Sequence, residues 1–196
     1  MSTQIFRSAI AVFLTLVFLS CSFFTPKSTS KPSIVGMEKE EQAVYSFFVA
    51  KQGTVLILRD TSTNISDDNP RQTIDSLRSN WKDVGGETLD SYLERNKQLN
   101  QLSPTMDLGT RYILLSPEEL AKVTSQPNWH QALKEKYPSS NGYLIFSRVG
   151  FNNTLDQALI YVGNVAGPLM GAGYYYLMQK KDGEWRIKDQ MMVWIS

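Results

Sequence analysis

Cysteine and histidine are almost missing: Cys21 and His130 are the single examples of each in 196 residues. A lone cysteine has no intrachain disulfide partner, and one thiol with one imidazole cannot make a conventional zinc site. A Ser-His-Asp or Cys-His centre would have to use His130, and no Gly-x-Ser-x-Gly elbow exists to present a nucleophile. His130 is read as a solvent-facing helical residue beside a core Trp129. No glycine-rich loop leads into Lys-Ser/Thr, so a phosphate cradle is lacking. The carboxylate pairs Glu118-Glu119 and Asp67-Asp68 read as helix-start and loop charges. An excess of one sign of charge is missing too. Arg7 is the one charge among residues 1–20, and without it the basic and acidic totals are 19 and 19. With no basic stripe to hold phosphate, nucleic acid is not an expected partner. No catalytic residue, metal ligand or cofactor is assigned.

What is present begins with an apolar run, Ala9–Leu19, behind Arg7, the layout of an export signal. It ends Phe18-Leu19-Ser20-Cys21. A small residue directly before a cysteine resembles the lipobox of bacterial lipoproteins. That likeness implies palmitate or another lipid on Cys21, removal of residues 1–20, and an address in the bacterial cell envelope, outside the cytoplasm. The pattern departs from the usual one at Phe18, where an aliphatic residue is commoner, and at Leu19, where a small one is. An uncleaved anchor and an ordinary secretory signal are the other readings, since Ser8–Phe24 sits at the lower limit for spanning a bilayer. Thr25–Ser33 is built of Ser, Thr, Pro and Lys and reads as a spacer. The expected organisation is therefore an export signal over 1–20, a lipidated cysteine and tether over 21–36, and one domain over 37–196.

The composition, 42% hydrophobic and 20% charged, suits one globular domain. Glu38–Gln52 is expected to form an amphipathic helix with Ala43, Phe47 and Ala50 beside Val44 and Phe48 on one face. Thr54–Arg59 reads as a strand. Asp60–Asn69 is polar, with side-chain oxygens at alternate positions, but Ile65 stands where a calcium loop needs glycine and Arg71 where it needs glutamate, so a solvated loop is expected. Pro70 opens a helix with Ile74, Leu77 and Trp81 on one side. Thr88 is expected to cap the next, whose apolar side is Leu89, Tyr92, Leu93 and Leu99. Arg111–Leu115 reads as a strand, Ser116-Pro117-Glu118-Glu119 as a capping box, and Pro127–Tyr137 as a short helix.

Four strand-like runs close the chain: Tyr143–Val149, Gln157–Gly163, Gly173–Lys180 and Glu184–Ile195. Asp182-Gly183 predicts a tight hairpin between the last two. The Gly163–Gly173 connection has four glycines and is read as a longer loop. The first two runs are apolar on both faces, which predicts a central strand covered on both sides. The fold class expected is α+β: helices packed on a mostly antiparallel sheet whose core is a C-terminal four-strand meander.

From Thr88 onward, Thr88-Leu89-Asp90, Tyr112-Ile113-Leu114-Leu115-Ser116, Ser147-Arg148-Val149-Gly150-Phe151-Asn152, Ala158-Leu159-Ile160-Tyr161-Val162, Gly171-Ala172-Gly173-Tyr174-Tyr175 and Trp194-Ile195-Ser196 together resemble a group of uncharacterised bacterial exported proteins. That resemblance implies no activity. By element order alone the chain is also similar to cystatin-like and nuclear-transport-factor-like cones, in which a helix crosses a curved sheet.

The residue groups above background are Arg148, Phe151 and Asn152 at a strand end, and the aromatics Tyr161, Tyr174, Tyr176 and Trp194, which would line a pocket if the sheet curves. Cross-strand packing for the rings, and an ion pair with a local carboxylate such as Asp156 for Arg148, are the plainer readings. The expectation is a monomeric, non-enzymatic, lipid-anchored module that binds a small apolar ligand or another envelope protein. One alternative is a cone-pocket enzyme of hydrolase or isomerase class using Arg148, Tyr161 and Asp156. Another is an inhibitor that inserts the Gly163–Gly173 loop into a partner.

Overall fold

A computed structural model of the chain describes residues 32–50, 52–62 and 70–196. The export signal, Cys21, the spacer as far as Lys31, and most of the polar loop after Asp60 lie outside the described residues. The fold is α+β. Helix α1 (Ile34–Val49) leads to strand β1 (Val55–Leu58), helices α2 (Pro70–Asn80) and α3 (Gly86–Arg95), and strand β2 (Tyr112–Leu115). Helices α4 (Pro117–Thr124) and α5 (Trp129–Lys136) follow, then β3 (Tyr143–Phe146), β4 (Gly150–Phe151), β5 (Gln157–Gly167), β6 (Met170–Lys181) and β7 (Glu184–Ile195). The sheet runs β2-β1-β3-β5-β6-β7, with β4 pairing β5. β1 is parallel to β2 and β3; every later pairing is antiparallel.

Helices cover both faces of this sheet. Alternation along the strands sends Leu144, Phe146, Ala158, Ile160 and Met178 toward α1, where they meet Val44, Tyr45 and Val49. The other face sends Leu159, Tyr161, Tyr175 and Leu177 against Leu77 of α2, Trp81 just past its end, and Leu89 and Tyr92 of α3. Leu56 and Leu115 continue that face under Leu133 of α5. β5 is buried without interruption from Gln157 to Gly163, as a strand covered on both sides should be. The second helix layer is where the fold departs from a cone with one helix across it.

Several sequence expectations shift. α1 begins four residues early, because the Ser33 side chain accepts the Gly36 N–H and caps it. The domain therefore takes in residues assigned to the tether. Its inward stripe is Glu41, Val44, Tyr45 and Val49, while Ala43, Phe47 and Ala50 are exposed. Leu99 lies beyond α3 and is exposed. The Ser116–Glu119 capping box forms with both bonds in place. Asp182 and Gly183 take φ of 54° and 83°, the left-handed pair that a two-residue hairpin with right-handed strand twist requires.

The largest change is at Gly163–Gly173, which is not a loop. β5 and β6 stay paired through Asn164↔Ala172 and Val165↔Gly171 to Gly167↔Met170, and Pro168-Leu169 alone makes the turn. An inserting loop of the proposed length therefore does not exist. Conversely, the expected strand Tyr143–Val149 breaks after Phe146. There the Ser147 hydroxyl takes the Tyr161 N–H, at 2.9 Å, and side chains from outside the sheet take over the backbone of Arg148 and Val149.

Candidate functional site

Two places on the surface hold three of the residues singled out by sequence, Tyr174 and Tyr176 in one and Arg148 in the other. The first lies past the C-terminal end of α1. α1 runs alongside β6, from Glu40 beside Lys180 to Phe48, whose ring centroid is 4.9 Å from that of Tyr176. Beyond Phe48, among the described residues, no helix covers this side of the hairpin. Tyr174 and Tyr176, two apart on β6, project there with ring centroids 5.7 Å apart. They floor an open groove of about 370 Å³ whose walls include Leu169 and Met170 of the β5–β6 turn and Ile195 of β7. Leu169, Met170 and Ile195 are 82%, 66% and 70% exposed, so the groove has an apolar rim facing water. Burial holds the Tyr176 phenol, and the neighbouring Tyr174 helps to hold it, above its ordinary pKa. The groove continues onto β7, the end strand of the sheet, which pairs with β6 alone. From Gln190 to Ile195 that strand carries no charge. Charges and prolines are the usual guards on an edge.

Tyr161 and Trp194 are not part of this groove. They lie on the α2–α3 side of the sheet, where Trp194 Nε1 donates to the Tyr161 hydroxyl at 2.8 Å. Gly173 makes room for the indole, since a Cβ there would collide with Trp194 Nε1. Burial raises the Tyr161 pKa, and the indole N–H partly offsets it. Phe151 is a core residue, 5.8 Å from the Trp185 ring. Asn152 organises the β4–β5 turn: its Oδ1 accepts the N–H groups of Asp156 and Gln157, and its Nδ2 donates to Asp156 Oδ1 at 2.7 Å.

The second place surrounds Arg148. Its partner is Glu41 of α1, not Asp156. Nε donates to Oε1 at 2.9 Å and Nη2 to Oε2 at 2.8 Å, a forked pair. Glu41 also accepts the Val149 N–H at 2.9 Å and the Tyr45 hydroxyl at 3.1 Å, and Arg95 Nη2 lies 2.9 Å from Oε2. Burial lowers the Arg148 pKa, and the hydrogen bonds and charge of Glu41 more than restore it, so the net direction is upward. Burial, with the carboxylate of Glu41 beside it, pushes the Tyr45 phenol well up. Asn96 completes the corner: its Oδ1 accepts the Arg148 N–H and its Nδ2 donates to the Arg148 carbonyl, as a neighbouring strand would.

Arg148, Tyr161 and Asp156 therefore do not converge. Arg148 reaches α1 on one face, Tyr161 packs on the other, and Asp156 sits within the β4–β5 turn. Among the described residues no group of three or more His, Cys, Asp or Glu could hold a metal ion, and no helix is long and apolar enough to cross a membrane. His130 is exposed on α5. Sequence reasoning missed Glu41, Arg95 and Asn96, which act through contacts far along the chain and carry no local spacing signal. No family model, no curated protein and no solved structure matches the chain.

Proposed function

We propose that the protein is a non-catalytic binding module, held at the outer face of a bacterial membrane through Cys21, that docks an extended apolar segment of another envelope protein. The observation that carries this reading is the Tyr174–Tyr176 groove, open and apolar-rimmed, merging with the uncharged half, Gln190 to Ile195, of an edge strand. Sites for small apolar ligands bury most of the ligand in a concave cavity. This groove is open to solvent and is better suited to an apolar side chain from a strand added to β7. Its position supports the same role. Pro32 and the first turn of α1 lie by Glu87 and Asn153, near the β6–β7 turn end of the molecule. The β5–β6 turn is at the other end of β6, about 30 Å away at the usual rise per strand residue. A domain tethered by its N-terminus then offers the groove to partners away from the bilayer.

Photo-crosslinking in the native envelope tests the docking. A crosslinking residue at Leu169 or Ile195 should give one discrete adduct, and the same residue at exposed Lys134 on α5 should give none. Leu169→Asp should abolish the adduct formed from position 195. No adduct at either tip position, or the same adduct from all three, overturns the docking role. Palmitate labelling of the wild type but not of Cys21→Ala is expected for the anchor; equal labelling overturns it.

A further inference from the structure

Independently of the tip groove, we propose that a pocket of about 380 Å³ between the C-terminal end of α3 and Arg148 is a binding site for a small organic carboxylate carrying a single negative charge. Arg95, Lys97, Gln98, Asn100 and Arg148 line it, with Glu94. Its charge is unbalanced. Two guanidinium groups, Arg95 and Arg148, face one buried carboxylate, Glu41. Glu94 is engaged by Lys97 at 2.5 Å, and Glu38 is an exposed residue of α1 that acts on Arg148 only at a distance. One positive charge in the arginine pair thus has no counter-ion of its own.

The hydrogen bonding is short in the same way. Arg148 spends Nε and Nη2 on Glu41, and among the described residues its Nη1 makes no hydrogen bond, although the side chain is 23% exposed. Arg95 is more buried, at 16%. Among the described residues its Nη1 hydrogen-bonds only the Met37 sulfur, at 3.9 Å, its Nε has no partner, and its Nη2 lies near Glu41 without hydrogen-bond alignment. A guanidinium withdrawn from water with donors unused costs free energy that an incoming oxyanion recovers. A carboxylate suits the planar guanidinium edge, because it accepts two parallel N–H bonds. Gln98, exposed at the rim, offers an amide donor to its second oxygen. Glu94 at the rim disfavours a dianion, which sets a monocarboxylate above phosphate.

The test is a titration of the folded protein with sodium acetate, watching the arginine side-chain Nε–H signals by NMR at constant ionic strength held with sodium chloride. Sodium phosphate is the comparison. Saturable shifts of the Arg95 and Arg148 signals by acetate are expected, with chloride ineffective and phosphate weaker. Arg148→Met should lose the response. Lys97→Glu alters an exposed side chain, takes away its surface pairing with Glu94, and should weaken acetate binding at least tenfold by the combined repulsion of the two carboxylates, with the folded NMR spectrum otherwise retained. No saturable shift, an equal response to chloride, a stronger one to phosphate, or unchanged binding by Lys97→Glu overturns the proposal.

Discussion

Glu41 and Arg148 stand 107 residues apart in the chain and meet through two charge-assisted hydrogen bonds, of 2.9 and 2.8 Å. The pair ties the second turn of α1 to the corner where β3 breaks. It is asymmetric: Glu41 accepts from Arg148, Tyr45 and the Val149 N–H and also faces the Arg95 guanidinium as an ion pair, whereas Arg148 is one donor among several.

That asymmetry predicts unequal losses. Glu41→Ala leaves two guanidinium groups without their carboxylate and should cost about 3–5 kcal/mol. Arg148→Met leaves Glu41 with Arg95, Tyr45 and Val149 and should cost about 1–3 kcal/mol. Urea unfolding of both variants measures the difference; equal losses would mean that Glu41 is not the hub.

Stability should fall on the alkaline side. Tyr45 and Tyr92 both have pKa values raised well above the ordinary 10.0, first by burial; Glu41 adds to the effect at Tyr45 and Tyr175 at Tyr92. Glu41, Arg148 and Arg95 are the charges facing Tyr45. A raised folded pKa means that the contribution of each phenol is fully present below the unfolded value and is lost as pH rises through the folded one. Above pH 10 the loss should approach about 1.4 kcal/mol per pH unit for each of the two. Phenolate absorbance should show these two ionising only as the protein unfolds; early ionisation of all tyrosines would contradict this.

Gly173→Ala should push the Trp194 indole off Tyr161. The glycine backbone is not in the left-handed region, so the cost is steric: a Cβ would overlap Nε1 and neighbouring ring atoms. About 1–3 kcal/mol is expected. Tryptophan fluorescence should change in this variant and stay unchanged when Gly173→Ala is introduced into Trp194→Phe.

The start of α3 gives a matched pair of substitutions. Gly85, the residue before the helix, has no side chain with which to cap it. Gln157 of β5 supplies the cap instead: its Oε1 accepts from the Gly85 N–H at 2.7 Å and the Thr88 hydroxyl at 2.9 Å, and its Nε2 donates to the Asp83 carbonyl. Gln157→Leu should cost about 1–3 kcal/mol. Gly86→Ala meets open space at a helical position and should stabilise by about 0.4–1 kcal/mol. Denaturation midpoints with unchanged slopes would establish both.

Gln157 also marks the boundary of what could be read in advance. Thr88 looked like a cap by its position ahead of an apolar run, because local spacing cannot reveal a glutamine 69 residues later. The strands, the Asp-Gly turn and the Ser116 capping box were legible, since each is set by neighbouring residues. The α1 stripe was misjudged because Glu41 faces inward, which hydrophobic periodicity scores as solvent. Gly163–Gly173 looked like a loop through its glycines, which instead thin the ladder to admit Trp194 and the turn. At the candidate site, Tyr174 and Tyr176 were found as aromatics in a strand, and Arg148 as a strand-end cation. Its partners, and the separation of Tyr161 and Trp194 onto the opposite face, depend on how distant segments stack.

The orientation of α1 has a mechanical consequence. For a chain held at its N-terminus, a pull enters at Ser33 and travels along the helix axis. Glu40, bonded to Lys180 and Trp185, and Glu41, bonded to Arg148 and facing Arg95, stand in the second turn. Tension therefore meets ionic clamps in shear, spread over β6, β7, α3 and the β3–β4 corner.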